Sequence, residues 1–326
     1  MDDQPLAYVS AAFQTRFFAT MTDTPTIILC PGQGAQAAGM GQAWHDTSDA
    51  AKQVFAEAND VLGLDLATLC FSGPADELNR TDVAQAAIYT VSVAAHRALR
   101  ANDTLPASPA ATAGLSLGEF TALHLAGAFS FADGLKLVRL RGQAMQDAAE
   151  ANPGTMVALT GDVTEEAVVA LCDAARGDGV LVPANFNNPM QVVVSGSADA
   201  CERAAAAADD AGFKAIPLTV AGAFHSPLMQ PAADRLSEAL DGVAWNTPAV
   251  PVIANVTARP HEPEAASIKD LLVRQLTSPV RWTQSMQWAT ENLPGRYVEL
   301  APGKVLGGLM RRIDRKTKVE NHAEPK

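Results

Sequence analysis

Nothing in this sequence approaches the roughly 20 uninterrupted apolar residues that a bilayer-spanning helix requires. The first residues also lack the charged, then apolar, then small-residue layout of a secretory signal. Cysteine is scarce: Cys30, Cys70, Cys172 and Cys201 stand far apart without CxxC or CxH spacing, so neither a disulfide framework nor a zinc site is indicated. They read as core thiols. Positive charge is in deficit, 24 Lys and Arg against 36 Asp and Glu for a net charge of -12, which argues against general attraction to nucleic acid or anionic membranes. Any anionic partner must therefore meet a local basic patch. These absences predict a cytoplasmic protein that holds no metal and contacts neither nucleic acid nor membrane. No coiled-coil or obvious interface signal is present either, which predicts a monomer.

What is present is a chain of 326 residues, 48% of them hydrophobic, enough for one large domain carrying a smaller one. Residues 1–22 precede the first strand-like run and contain Asp2 and Asp3, which argue against an organelle transit peptide. They are expected to be a poorly ordered extension. Beyond them, short β-rich runs such as "TIILC" alternate with long alanine-rich helical runs, the pattern of an α/β fold with a largely parallel sheet. Between 153 and 221 the rhythm becomes strand, helix, strand, strand, helix, strand, which predicts a ferredoxin-like (βαββαβ) subdomain. It would be inserted into a large α/β-hydrolase-like domain formed by 23–152 and 222–315, leaving 316–326 as a C-terminal tail. A cleft between the two units is the expected ligand site.

Residues 113 to 120, "AGLSLGEF", place Ser116 between Gly114 and Gly118, after a strand-like run and before a helical one. That is the context of a nucleophile elbow, in which a tight turn exposes a hydroxyl at a helix N-terminus. Such a serine needs a base. Of the six histidines, His225 in "AGAFHSPLM" follows the last strand of the insert and would return to the cleft. His96 and His124 lie inside helical patterns, His45 and His261 in polar surroundings, and His322 in the tail. In "LKLVRLRGQAMQDAA", Lys136, Arg139 and Arg141 project from one helix, and spacing does not choose which of them would enter a cleft. An arginine there would suit a carboxylate bidentately. "CPGQGAQAAGM" lets the backbone approach a ligand at Gly32 and Gly34, and Gln33 could lend an N–H to an oxyanion. The segment is no P-loop, having no Gly-Lys-Ser/Thr. Nor is it a dinucleotide fingerprint, since Ala37 replaces the third glycine.

Taken in order, "PGQGAQ", "GLSLGEF", "RGQAMQDAA", "AGAFHSPLM", "ANVTA", "QLTSPVRW" and "APGKVLGGL" resemble the malonyl-CoA:acyl carrier protein transacylase family from about Thr26 to Ile313. The resemblance implies that Ser116 accepts the acyl group, that His225 activates it, and that Arg141 pairs with the free malonyl carboxylate. It implies an oxyanion hole from the backbone N–H groups of Gln33 and Leu117. It also implies that Gln275 orients the histidine through its main-chain carbonyl, that Asn185 faces the cleft from the small subdomain, and that Phe224 crowds a 2-methyl branch. Leu115 departs from the histidine that many members carry there.

The implied reaction moves malonyl from malonyl-CoA to the phosphopantetheine thiol of acyl carrier protein by ping-pong steps, for fatty acid synthesis, with no permanently bound cofactor. The carrier is expected to dock on the basic residues between Lys304 and Lys318, where only Asp314 opposes Lys304, Arg311, Arg312, Arg315, Lys316 and Lys318. Three alternatives remain: an esterase built on the elbow, a non-catalytic scaffold, and the transacylase that serves malonate decarboxylase.

Overall fold

Nine strands are formed among residues 24–326, the part of the chain that the computed structural model describes; the extension expected at 1–22 lies outside the described residues. In chain order they are β1 (Thr26–Cys30), β2 (Ala111–Gly114), β3 (Gly154–Thr160), β4 (Leu181–Asn188), β5 (Gln191–Ser197), β6 (Lys214–Pro217), β7 (Val252–Ile253), β8 (Arg296–Leu300) and β9 (Val319–His322). Five of them make a wholly parallel sheet in the order β7-β2-β1-β8-β9. β1 is buried at every position because it lies at the centre with both faces covered. Ile28 and Cys30 face the helices Thr81–Ala101 and Phe131–Ala151 in one core. Ile27 and Leu29 face Trp282, Met286, Leu306 and Met310 in another. The chain thus forms an α/β fold with a parallel sheet between two helical layers.

From β1 the chain steps through β2 to β7 on one side, then returns to build β8 and β9 on the other. A sheet whose order reverses in this way opens a crevice at the carboxyl ends of its strands. The carboxyl ends of β1, β2 and β7 lead directly into "PGQG", Leu115-Ser116 and Ala254-Asn255. β9 adds an edge strand within 316–326, which the sequence reading treats as tail. A strand of four residues with a single apolar member carries too little signal to be read ahead of its pairing.

The second sheet is antiparallel, in the order β4-β5-β3-β6, with the helices Glu165–Ala175 and Ala198–Ala207 on one face. β3 and β5 carry apolar runs because both of their faces are used. Val157, Leu159, Val192 and Val194 pack under those two helices, whereas Met156, Ala158 and Val193 join the large core on the other side. The unit is fastened at β4, where Phe186 N–H donates to Val280 O (2.9 Å) and Val280 N–H to Ala184 O (2.8 Å). Arg281 adds a two-pronged ion pair to Glu165 at 3.0 and 3.1 Å. No helix of the described residues is long and apolar enough to cross a membrane.

Candidate active site

β2 and the helix Leu117–Leu125 are joined by two residues, and the turn between them is too tight for side chains at its ends. A Cβ on Gly114 would sit 1.9 Å from the Gly118 carbonyl carbon, and one on Gly118 would sit 2.1 Å from Cys30 O. Ser116 takes φ 52° at the bend, a conformation that costs a non-glycine residue about 1–3 kcal/mol. Two bonds hold it there. Its N–H donates to Asn255 Oδ1 (2.6 Å) and its carbonyl accepts from Gln275 Nε2 (3.0 Å). A serine in this position ordinarily caps the helix with its hydroxyl, yet no such bond forms here.

The hydroxyl is engaged elsewhere. Ser116 Oγ lies 2.9 Å from His225 Nε2, and His225 Nδ1 lies 2.7 Å from the carbonyl oxygen of Gln275. A carbonyl only accepts, so Nδ1 carries the proton and Nε2 presents its lone pair to the hydroxyl. His225 is itself at φ 57°, in the turn before the short helical turn Pro227–Met229. Burial, and then the charge of Arg141, pull its pKa down to about 4 against the opposing bond to Gln275 O. The imidazole is neutral at pH 7 and able to take a proton.

Arg141 resolves the ambiguity among the three basic residues of its helix. Lys136 is exposed and Arg139 pairs with Asp82 at 3.0 Å, whereas Arg141 is 1% exposed. Its guanidinium donates to Gln85 Oε1 (2.6 Å), Gln275 Oε1 (2.8 Å) and Ser116 Oγ (3.0 Å), and lies over the Phe120 ring at 5.5 Å. Its Nε–H has no acceptor among the described residues. Burial lowers its pKa to about 10, opposed by Glu119, so it remains a cation. A buried base, a hydroxyl and a cation with a free donor thus converge on one oxygen. The arrangement can make a nucleophile and hold a carboxylate beside it.

Of the residues expected from sequence, Ser116, His225, Arg141 and Gln275 come together. Leu117 N–H opens the helix after Ser116 and Gln33 N–H lies in the loop after β1; neither donates to a backbone acceptor among the described residues. Phe224 is buried in the large core next to His225. Asn185 sits on β4 opposite Val280 and makes no hydrogen bond to the cluster. Leu115 packs on the second core. The basic residues Lys304, Arg311 and Arg312 line a groove of about 740 Å³ with Lys214 and the half-exposed Met190 and Val305, apart from the serine; Arg315, Lys316 and Lys318 do not line it. No group of three or more His, Cys, Asp or Glu among the described residues could hold a metal ion.

Four further residues join the cluster without having been singled out: Gln85, Glu119, Asn255 and His261. Gln85 is one amide within a buried apolar helix, and its isolation was the available signal. Asn255 lies in "ANVTA", quoted as a motif without a role. Glu119 reads as an ordinary acid in a first helical turn. His261, expected in polar surroundings, is instead buried against Glu119, its side chain 1% exposed. The reason is that β7 and the residues after it fold back on themselves: Ile253 pairs with Pro260, and His261 N–H donates to Val252 O at 2.8 Å.

Residues 27–322 match the acyl transferase domain, and the chain belongs to that family. Among curated proteins, the malonyl CoA-acyl carrier protein transacylase of Escherichia coli (strain K12) is 42% identical over 284 residues, 87% of this chain and 91% of that one. Among solved structures, an acyl carrier protein S-malonyltransferase from Vibrio cholerae superposes with a TM-score of 0.88 at 41% identity, covering 93% of this chain and 98% of its own. A malonyl-transacylase in complex with its type II PKS acyl-carrier protein is equally similar in fold, with a TM-score of 0.88 at 38% identity and coverage of 93% and 97%.

Proposed function

We propose that this protein transfers the malonyl group from malonyl-CoA to the phosphopantetheine thiol of acyl carrier protein, supplying malonyl-carrier for fatty acid synthesis in the cytoplasm. The observation that carries the reading is the meeting of His225 and Arg141 on Ser116 Oγ, at 2.9 and 3.0 Å. The malonyl carboxylate lies one methylene beyond the reacting carbonyl, so a cation touching the nucleophile is within its reach. The relatives named above act on the same substrates by name.

His225 Nε2 takes the Ser116 hydroxyl proton as Oγ attacks the thioester carbonyl, and the N–H groups of Gln33 and Leu117 receive the oxyanion. The C–S bond breaks, CoA sulfur takes the proton from His225, and malonyl-Ser116 remains. The carrier thiol then gives its proton to His225 and attacks the ester, and Ser116 Oγ recovers the proton as it leaves. Gln275 holds the histidine through its carbonyl, so no acidic third member is needed. Arg141 fixes the carboxylate, with the waiting Nε–H completing a forked contact.

The sharp turn at Ser116 is read as a nucleophile elbow in an α/β-hydrolase-like large domain, residues 23–152 and 222–315. The antiparallel unit, 153–221, is read as a ferredoxin-like insert. Asn185 and Phe224 are supporting residues that border the substrate, and the groove at Lys304, Arg311 and Arg312 is the docking surface for the acidic carrier. No permanently bound cofactor is required, and the enzyme acts as a monomer.

Intact mass after brief incubation with malonyl-CoA tests the reading. A malonyl adduct is expected on the wild type and not on Ser116→Ala, and holo-carrier protein should discharge it. No adduct together with neither hydrolysis nor transfer of malonyl-CoA would sink the proposal.

A further inference from the structure

Behind the nucleophile lies a buried carboxylate that the reaction itself does not use. Glu119 is 1% exposed and accepts three hydrogen bonds: from Gln275 Nε2 at 2.7 Å, from Asn255 N–H at 3.2 Å, and from His261 Nε2 at 2.7 Å. Burying a carboxylate rarely adds stability over an apolar side chain of the same volume, so its position asks for another reason. Gln275 supplies one. Its amide has two chemically different ends and can be turned either way at almost no cost in shape. Two acceptors, Glu119 Oε2 and Ser116 O, sit at one end, and the Arg141 guanidinium, which only donates, sits at the other. Only one orientation satisfies all three. It is the orientation that turns Gln275 Oε1 onto Arg141.

We propose that Glu119, anchored by His261, is a positioning residue for substrate selection: it holds the Gln275 amide in the orientation that aims Arg141 at the carboxylate of the acyl group. The inference rests on the reading of Arg141 as the carboxylate-binding residue. The pair reaches its place by topology, because Glu119 lies in the first turn after Ser116 and the folded-back segment 252–261 brings Asn255 and His261 against it. His261 Nδ1 has no hydrogen-bond partner among the described residues. The bond to Glu119 is thus the one hydrogen bond among the described residues that sets the imidazole tautomer, which makes a specific rescue possible. In Glu119→Gln the new amide oxygen can accept from Gln275 and Asn255, while its NH2 donates to His261 Nε2 in the opposite tautomer. In Glu119→Leu the shorter of the two acceptors is lost, and the Gln275 amide is held at that end only by its 3.0 Å bond to Ser116 O.

The test compares acylation by malonyl-CoA and acetyl-CoA in the full-length enzyme. Glu119→Leu is expected to lower kcat/KM for malonyl-CoA by roughly 10–100-fold, the usual effect of losing a group that orients a ligand-binding side chain. Acetyl-CoA, which has no carboxylate, should lose only the smaller share that comes through the Gln275 bond to Ser116 O, and Glu119→Gln should restore most of the malonyl preference. Equal losses on both substrates, or Glu119→Gln behaving like Glu119→Leu, would overturn the proposal. Should Glu119→Leu fail to fold, His261→Leu puts the same question, with a smaller but still malonyl-selective loss expected. Failure of both to fold would also overturn it, because the pair would then hold the fold and not the arginine. Arg141→Ala separates this inference from the reading beneath it. If Arg141→Ala loses malonyl-CoA selectively while the Glu119 variants do not, only the positioning role fails; if Arg141→Ala loses both substrates alike, the carboxylate-binding reading fails first.

Discussion

Ser116 and His225 are two of only four non-glycine residues at positive φ among the described residues, and they touch each other. Strain of this kind persists only where neighbours over-determine the conformation. Here Asn255 and Gln275 do so at the serine. The histidine is held by the carbonyl of Gln275 and is withdrawn from water. Its protonated form is disfavoured by burial and by Arg141, so the base stays available well below the ordinary imidazole range. kcat/KM for malonyl-CoA is accordingly expected to hold as pH falls and to lose its base near pH 4, not near 6.5. A stopped-flow pH profile of acylation reads this directly, and an acid limb at the ordinary imidazole value would contradict the burial argument. Ser116 and His225 were legible as candidates from motif context, whereas Arg141 was singled out from its helix only by the family resemblance. Glu119 and His261 were not, because burial of a charged side chain depends on partners more than 100 residues away in sequence, here 142 apart.

At the scale of elements, the turn from β2 into the helix Leu117–Leu125 does the placing. It presses Gly118 against Cys30 O at the end of β1, so strand, turn and helix share one contact. Gly118→Ala is expected to destabilise the fold by about 1–3 kcal/mol through overpacking. It should also slow acylation by about 100-fold, since a shift near 1 Å at a reacting atom costs that much. A denaturant midpoint and the rate of adduct formation would check the two parts; a variant that is stable and fully active would show that the loop at Cys30 yields at no cost. The strand and helix order from β3 to β6 was readable because the apolar runs of β3 and β5 and the alanine-rich helical stretches between the strands are distinct along the sequence. The short strands β7 and β9, two and four residues long, were not, since their only signal is the neighbour they pair with.

For the whole molecule, a net charge of -12 contrasts with a groove lined by four basic residues and no acid. Lys214 comes from β6 of the small sheet, whereas Lys304, Arg311 and Arg312 come from the C-terminal helix and its approach, so the groove exists only when the two units are packed together. Asp314, the one acid in that stretch, accepts from Thr317 and the Lys316 backbone at 2.7 and 3.0 Å and does not line the groove. Reversing Arg311 and Arg312 to glutamate is expected to raise the KM for carrier protein by about tenfold or more and to reduce its salt dependence, while malonyl loading of Ser116 continues. Unchanged carrier kinetics at low salt would remove the groove from the docking surface.

The chain order of motifs, the alternation of strand and helix periods and the deficit of positive charge are local or summed properties, and each could be read along the string. They were enough to reach the family's chemistry and to nominate Ser116 and His225 as its reacting pair. Which arginine enters the site, which way an amide faces and where a lone histidine ends up are pairwise matters. They depend on which segments the parallel sheet brings to the carboxyl ends of β1, β2 and β7. Hydrogen bonding there is decided by donors and acceptors that meet across 25 to 159 residues of sequence, and no periodicity within one segment encodes such a meeting.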